Sequence, residues 1–137
     1  EKVGICESTA VLIWLWAQPR LQEAGGGQRA PGDSVTLSCR GSGFIFRNSD
    51  IYWYRQFPGG MPEWVSFIHY SGHVKRYGAA VQGRATVSRD NSQSQSSLVL
   101  RALQPSDSAR YFCAIHTETG NPAELEHKPP GAWHGVC

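Results

Sequence analysis

At 137 residues the chain is long enough for one domain and a little more. Thirteen Lys and Arg against eleven Asp and Glu leave a formal net charge of +2, a near balance that argues against a nucleic-acid stripe or a polybasic membrane patch. With 40% apolar and 18% charged residues there is material for a real core and too little charge for a disordered tail protein.

Residues 1–17 differ in character from the rest of the chain. The run Thr9-Ala10-Val11-Leu12-Ile13-Trp14-Leu15-Trp16-Ala17 is apolar but, at nine residues, too short to span a bilayer. It has the length of a signal-peptide apolar region, with the small Ala17 before a cleavage point. Glu1 to Ser8 ahead of it lacks an initial Met and a basic flank, since the one Met is Met61. The segment therefore reads either as a partial leader or as translated non-coding sequence, and in both cases as a flank outside the domain.

Residues 18–115 read as short strands separated by turns. The expected strands are Arg20 to Ala24, Ser34 to Arg40, Ile51 to Phe57, Glu63 to Tyr70, Arg84 to Arg89, Ser97 to Leu103 and Arg110 to Ile115. Turn signals lie between them, among them Gly25-Gly26-Gly27, Pro31-Gly32-Asp33, Pro58-Gly59-Gly60 and Ser71-Gly72. No helical stripe competes, although Gln104 to Ser108 suits a single helical turn. Such spacing predicts an all-β sandwich or barrel. Residues 116–137 then lose the alternation, hold Pro122, Pro129 and Pro130, and read as an irregular tail.

The four cysteines, Cys6, Cys39, Cys113 and Cys137, allow three pairings, and spacing alone does not choose among them. Cys39 and Cys113 each sit in an alternating apolar run, Val35-Thr36-Leu37-Ser38-Cys39 and Tyr111-Phe112-Cys113-Ala114-Ile115. Side chains alternate across a strand, so Val35, Leu37 and Cys39 share one face. Two inward cysteines on separate strands are the expected ends of a disulfide across a sandwich core, against the blander reading of two independent buried thiols. A bridge implies an oxidising compartment.

Cys39 is followed fourteen residues later by Trp53 in Trp53-Tyr54-Arg55-Gln56, and Cys113 ends Asp107-Ser108-Ala109-Arg110-Tyr111-Phe112-Cys113. Together with Gly59-Gly60, Glu63-Trp64-Val65 and Arg84-Ala85-Thr86-Val87-Ser88-Arg89-Asp90-Asn91-Ser92, this resembles an immunoglobulin variable (V-set) domain of heavy-chain type. The resemblance implies a V-type, two-sheet Greek-key β-sandwich, with Trp53 packed on the Cys39–Cys113 bridge and Tyr111 as the tyrosine corner. It further implies an Arg84–Asp107 ion pair beneath the sandwich.

By position, recognition loops would be Gly43 to Asp50, His69 to Val74, and a third beginning at Ile115. Arg47, Asn48, Ser49, Asp50, His69, Tyr70, Ser71 and His73 are the candidate antigen contacts, Tyr giving area and Ser and Asn polar reach. Of the two loop phenylalanines, Phe44 is expected to turn inward. The resemblance thus implies a secreted or lymphocyte-surface domain of adaptive immunity, binding an unidentified antigen and docking on a light chain.

Tyr54, Gln56, Met61, Pro62 and Trp64 fall where a partner chain would dock. Tyr54 and Met61-Pro62 depart from the apolar residues usual there in a heavy chain; Tyr54 and Asp107-Ser108-Ala109 are more similar to light-chain or T-cell-receptor sequences, so a heavy-chain-like domain serving a T-cell-receptor chain is an alternative. Pro62 is expected to remove a backbone donor from its strand. A non-rearranging V-set adhesion or regulatory module, binding through a sheet face, is a further alternative.

The family closes its sheet with a strand marked Trp or Phe, Gly, any residue, Gly. Trp133-His134-Gly135-Val136 lacks the first Gly, so the closing strand is expected to be missing and the edge beside Arg110 to Ile115 unpaired. Codons for His116-Thr117-Glu118 can begin with a near match to the heptamer that follows germline V segments, and those for His127-Lys128-Pro129 can encode much of the matching nonamer. The tail is therefore expected to be read-through of an unrearranged segment.

Nothing in the sequence points to catalysis. It holds no Gly-rich phosphate loop, HExxH, GxSxG or paired acidic motif. His69 and His73 share a loop without an evident third ligand, so no metal or other cofactor is expected. Asn48, Asn91 and Asn121 all miss the N-glycan acceptor pattern.

Overall fold

The computed structural model describes residues 19–116. They form β1 (Arg20–Gly25), β2 (Val35–Ser42), β3 (Ile51–Gln56), β4 (Glu63–Ile68), β5 (Lys75–Tyr77), β6 (Ala85–Asp90), β7 (Gln95–Leu100) and β8 (Arg110–Ile115). Two antiparallel sheets result, ordered β1-β2-β7-β6 and β5-β4-β3-β8. The chain crosses between sheets after β2, β5 and β7, and β7 inserts between β2 and β6, which makes the sandwich a Greek key.

Alternation sets which side chains face inward. Ile51, Trp53 and Arg55 of β3 are buried and their neighbours half-buried, while Val65 and Ile68 of β4 and Leu98 and Leu100 of β7 close the interior. Trp53 is fully buried and lies in register with Cys113. Its indole N–H donates to Ser96 Oγ at 3.4 Å, and that hydroxyl donates to the Ser88 carbonyl at 2.9 Å. The one polar atom of the central ring thus has a partner inside the core. Cys39 and Cys113 form the disulfide, joining the two sheets across a sequence separation of 74.

Several strand boundaries differ from the sequence reading. β4 stops at Ile68 rather than Tyr70, because His69 N–H donates to the Val74 carbonyl at 2.9 Å and turns the chain back into β5. That second strand of the hairpin was not expected; at three residues, Lys75-Arg76-Tyr77, it is too short to show alternation. β7 begins at Gln95 and ends at Leu100, short of the expected Leu103, because Ala102 takes a left-handed φ of 51°. Pro62 lies ahead of Glu63, outside β4, and so takes no donor from the ladder. The expected turn before the last strand is a 3-10 turn at Pro105–Asp107, and a second, unexpected one lies at Phe46–Asn48.

β8 is an outer strand of its sheet among the described residues. The expectations of a leader, a missing closing strand and a read-through tail, together with Cys6 and Cys137, fall outside the described residues.

Candidate recognition surface

Register places one end of the sandwich. Ile51, Ile68, Lys75 and Ile115 make a single row across β3, β4, β5 and β8, so Asp50, His69, Val74 and His116 continue the chain past that row at the same end. The loops at 43–50 and 69–74 therefore rise side by side.

The first loop is anchored by Phe46, which is 3% exposed and packs into the core. Phe44, expected to be the inward ring, is only half-buried, with its centroid 6.1 Å from that of Phe46. Both rings sit over Gly41, where a Cβ would come within 2.6 Å of Phe44 and 2.8 Å of Phe46. With three residues per turn, the 3-10 turn points Phe46 inward to plug the base and leaves the next two side chains, Arg47 and Asn48, exposed.

Arg89 couples this loop to the second. Its guanidinium lies 4.7 Å from the Phe46 ring centroid and donates to the carbonyls of Phe46 at 2.8 Å and His69 at 3.1 Å. Its Nε donates to Asn91 Oδ1 at 2.7 Å, and Asn91 Nδ2 donates to the Tyr70 carbonyl at 3.0 Å. Asp50 completes the tie by accepting the Tyr70 N–H at 2.8 Å. Burial pulls the Arg89 guanidinium below the ordinary arginine range, which an arginine tolerates while staying charged.

The second loop is a tight turn. Gly72 N–H donates to the His69 carbonyl at 2.9 Å, and Gly72 has a φ of 82°, a left-handed conformation that favours glycine. Ser71 N–H donates to His69 Nδ1 at 3.3 Å, and the His69 and Tyr70 rings lie 4.0 Å apart. Tyr70, Ser71 and His73 are exposed. Of the candidate contacts, Ser49, Asp50 and His69 are half-buried, and all three are held by hydrogen bonds, Ser49 through its hydroxyl to the Ile45 carbonyl at 3.0 Å. They shape the loops, whereas Arg47, Asn48, Tyr70, Ser71 and His73 present side chains to solvent.

A second surface lies on the outer face of β3, β4 and β8. Tyr54 is in register with Trp64 and with Phe112, and its ring stacks on Phe112 at 5.6 Å and 22°. Trp64 is 39% exposed and Met61 84% exposed, an unusual degree for large apolar side chains. Pro62 is exposed beside them, and Gln56 bonds the Gly60 carbonyl at 2.8 Å.

At the opposite end a buried polar knot holds the fold. Asp107 accepts two bonds from Arg84, at 2.9 and 3.0 Å, and a third from Arg55 at 3.2 Å. Tyr111 donates its hydroxyl to the Asp107 carbonyl at 2.8 Å, and Arg55 Nε reaches Glu63 at 2.7 Å. The Arg84 contact holds the Asp107 carboxyl below the usual aspartate range, against the opposing effect of burial. Sequence reasoning missed Arg55. The available signal was its position two residues from Trp53, on the inward face, where a charge requires a partner. It missed Glu23 as well, whose carboxylate lies 3.4 Å from the Cys113 N–H.

A sandwich of this topology, closed by an inter-sheet disulfide with a Trp beside it, is what the immunoglobulin V-set domain model describes, and that model matches residues 27–128. The chain belongs to the immunoglobulin V-set family. As a V-set domain it is a recognition module, not an enzyme. Among the described residues there is no group of three or more His, Cys, Asp or Glu able to hold a metal ion. No helix among them is long and apolar enough to cross a membrane.

Proposed function

We propose that this V-set domain is the antigen-recognition variable domain of an immunoglobulin heavy chain, working outside the cell as a secreted or lymphocyte-surface receptor. The observation that carries the reading is the seating of two loops at one end of a disulfide-closed sandwich. Arg89, Asn91 and Asp50 fix their backbones, so Arg47, Asn48, Tyr70, Ser71 and His73 are presented with little ordering entropy left to lose on binding. Recognition is then loop-borne contact, with tyrosine area and polar side chains giving fit.

The exposed Met61, Pro62 and Trp64 beside Tyr54 are the face on which a partner chain docks, burying apolar surface at the centre. Tyr54 after the core Trp, more similar there to light-chain or T-cell-receptor sequences, supports one second reading, a heavy-chain-like T-cell-receptor variable domain whose partner is a T-cell-receptor chain. Co-expression of the full chain with an immunoglobulin light chain, and separately with T-cell-receptor variable chains, tests both. The leading reading expects co-purification with the light chain and its loss in Met61→Glu/Trp64→Glu. Selective capture of a T-cell-receptor chain would replace it with the second.

A further inference from the structure

The second loop turns on a side chain as well as on backbone bonds. His69 follows β4 with its N–H on the Val74 carbonyl and its own carbonyl accepting the Gly72 N–H, both at 2.9 Å. Its half-buried ring then reaches forward: Nδ1 accepts the Ser71 backbone N–H at 3.3 Å and lies 2.9 Å from Ser71 Oγ. A backbone N–H can only donate, so this geometry needs a bare Nδ1 lone pair, hence a neutral imidazole with its proton on Nε2. Ser71 Oγ accepts the His73 N–H at 3.2 Å, which leaves its own proton for Nδ1. His69, Ser71 and His73 are thereby joined through one uncharged ring.

Charging the ring breaks that chain at one place. With a proton on Nδ1 the nitrogen becomes a donor; it can keep Ser71 Oγ as its acceptor, but it meets the Ser71 N–H donor to donor. Most of the neighbouring charge is already positive. Arg89, from β6, donates to the His69 carbonyl at 3.1 Å. Asp50, ahead of β3, accepts the Tyr70 N–H at 2.8 Å, and its charge acts on Arg89. Asp90, next to Arg89, accepts the backbone N–H and hydroxyl of Ser92. The first loop carries one other charge, the exposed Arg47, also positive. On the β5 side stand the apolar Val74 and then Lys75, exposed. Within the loop the Tyr70 ring lies 4.0 Å from that of His69, and His73 is exposed.

We propose that His69 is a pH switch in the second recognition loop. The neutral imidazole holds residues 69–73 in their tight turn; the imidazolium releases the Ser71 N–H and lets Tyr70, Ser71 and His73 leave their present places. A ligand held by this loop is therefore bound near neutral pH and let go on mild acidification, in the range where histidine changes charge. The proposal rests on loop-borne recognition and adds how that recognition is regulated.

The test is heteronuclear NMR of the full chain between about pH 8 and 5. At the upper end the His69 Nδ1 resonance is expected where an unprotonated acceptor falls. On acidification the Ser71 and His73 amides are expected to move together with His69. Ser71 protection, corrected for intrinsic exchange, should drop about fivefold, the worth of one such hydrogen bond. His69→Asn is the discriminating variant, because an Asn side-chain oxygen accepts the N–H two residues on without titrating. It is expected to keep the neutral-pH Ser71 amide throughout, His69→Phe to show the acid form throughout, and His73→Gln to retain the parent's transition. A proton on Nδ1 at the upper end, a Ser71 amide that stays put, or an equal transition in His69→Asn would overturn the proposal. A peptide panned from a library without Asp, Glu or His separates the two levels. Binding that needs Arg47 or Tyr70 and weakens about fivefold on acidification in the parent, but not in His69→Asn, supports both. Loop binding of equal strength at both ends of the range sinks the regulation and leaves the loop reading standing. Binding lost in Met61→Glu/Trp64→Glu and kept in Arg47→Ala and Tyr70→Ala removes the loop reading, and with it any role of the switch in recognition.

Discussion

Asp107 concentrates more of the fold's polar energy than any neighbouring side chain. Its carboxylate is 5% exposed and receives two arginines, so removing it leaves the buried Arg55 guanidinium without that partner. Asp107→Ala is expected to lower unfolding free energy by about 3 kcal/mol, as breaking a buried ion pair does, measured by urea denaturation. The pH dependence has a fixed sign. A carboxyl held below the ~3.9 of an unfolded aspartate contributes stability above that value and loses it as pH falls through the native value. The acid limb should therefore flatten in Asp107→Asn. Arg89 works at the other end. Losing its charged bonds to two loop carbonyls in Arg89→Ala should cost about 2 kcal/mol and speed amide exchange at 44–49 and 69–74 while the strands stay protected. Gly41→Ala forces a methyl into the Phe44 and Phe46 rings and should cost about 1–3 kcal/mol, read as a fall in Tm.

At the scale of elements, strand legibility followed the inward pattern. β3 was readable because Ile51, Trp53 and Arg55 alternate with less buried neighbours, and β8 because Phe112 to Ile115 form a continuous buried apolar run. β5 was not, since three residues carry no period and its existence depends on the pairing offered by Phe67 and Ile68. The inward ring was misjudged for a similar reason. Phe44 and Phe46 have the same parity, and only the 3-10 turn, which composition does not announce, decides that Phe46 goes deeper. Arg55 and Arg89 were hidden because their partners lie far along the chain. The disulfide was legible from a cysteine inside an apolar run on each of two separate strands. Replacing both Cys39 and Cys113 by Ala should remove about 4 kcal/mol, from the loop entropy that the bridge withholds from the unfolded chain.

At the scale of the molecule, two surfaces compete for the role of recognition. One is the loop end fixed by Arg89, Asp50 and Asn91; the other is the sheet face that displays Met61 and Trp64. A receptor that reads antigen uses the first and reserves the second for its partner chain, whereas an adhesion module binds through a sheet face. The measurement that separates them most directly is an alanine scan of the full chain against a ligand panned from a random library, with affinity read by calorimetry. Loop-borne recognition predicts losses of tenfold or more, a hot-spot scale, at Arg47 or Tyr70, and changes below about twofold in Met61→Ala and Trp64→Ala. Losses confined to Met61, Trp64 and Tyr54, with the loop variants binding as the parent does, would contradict loop-borne recognition.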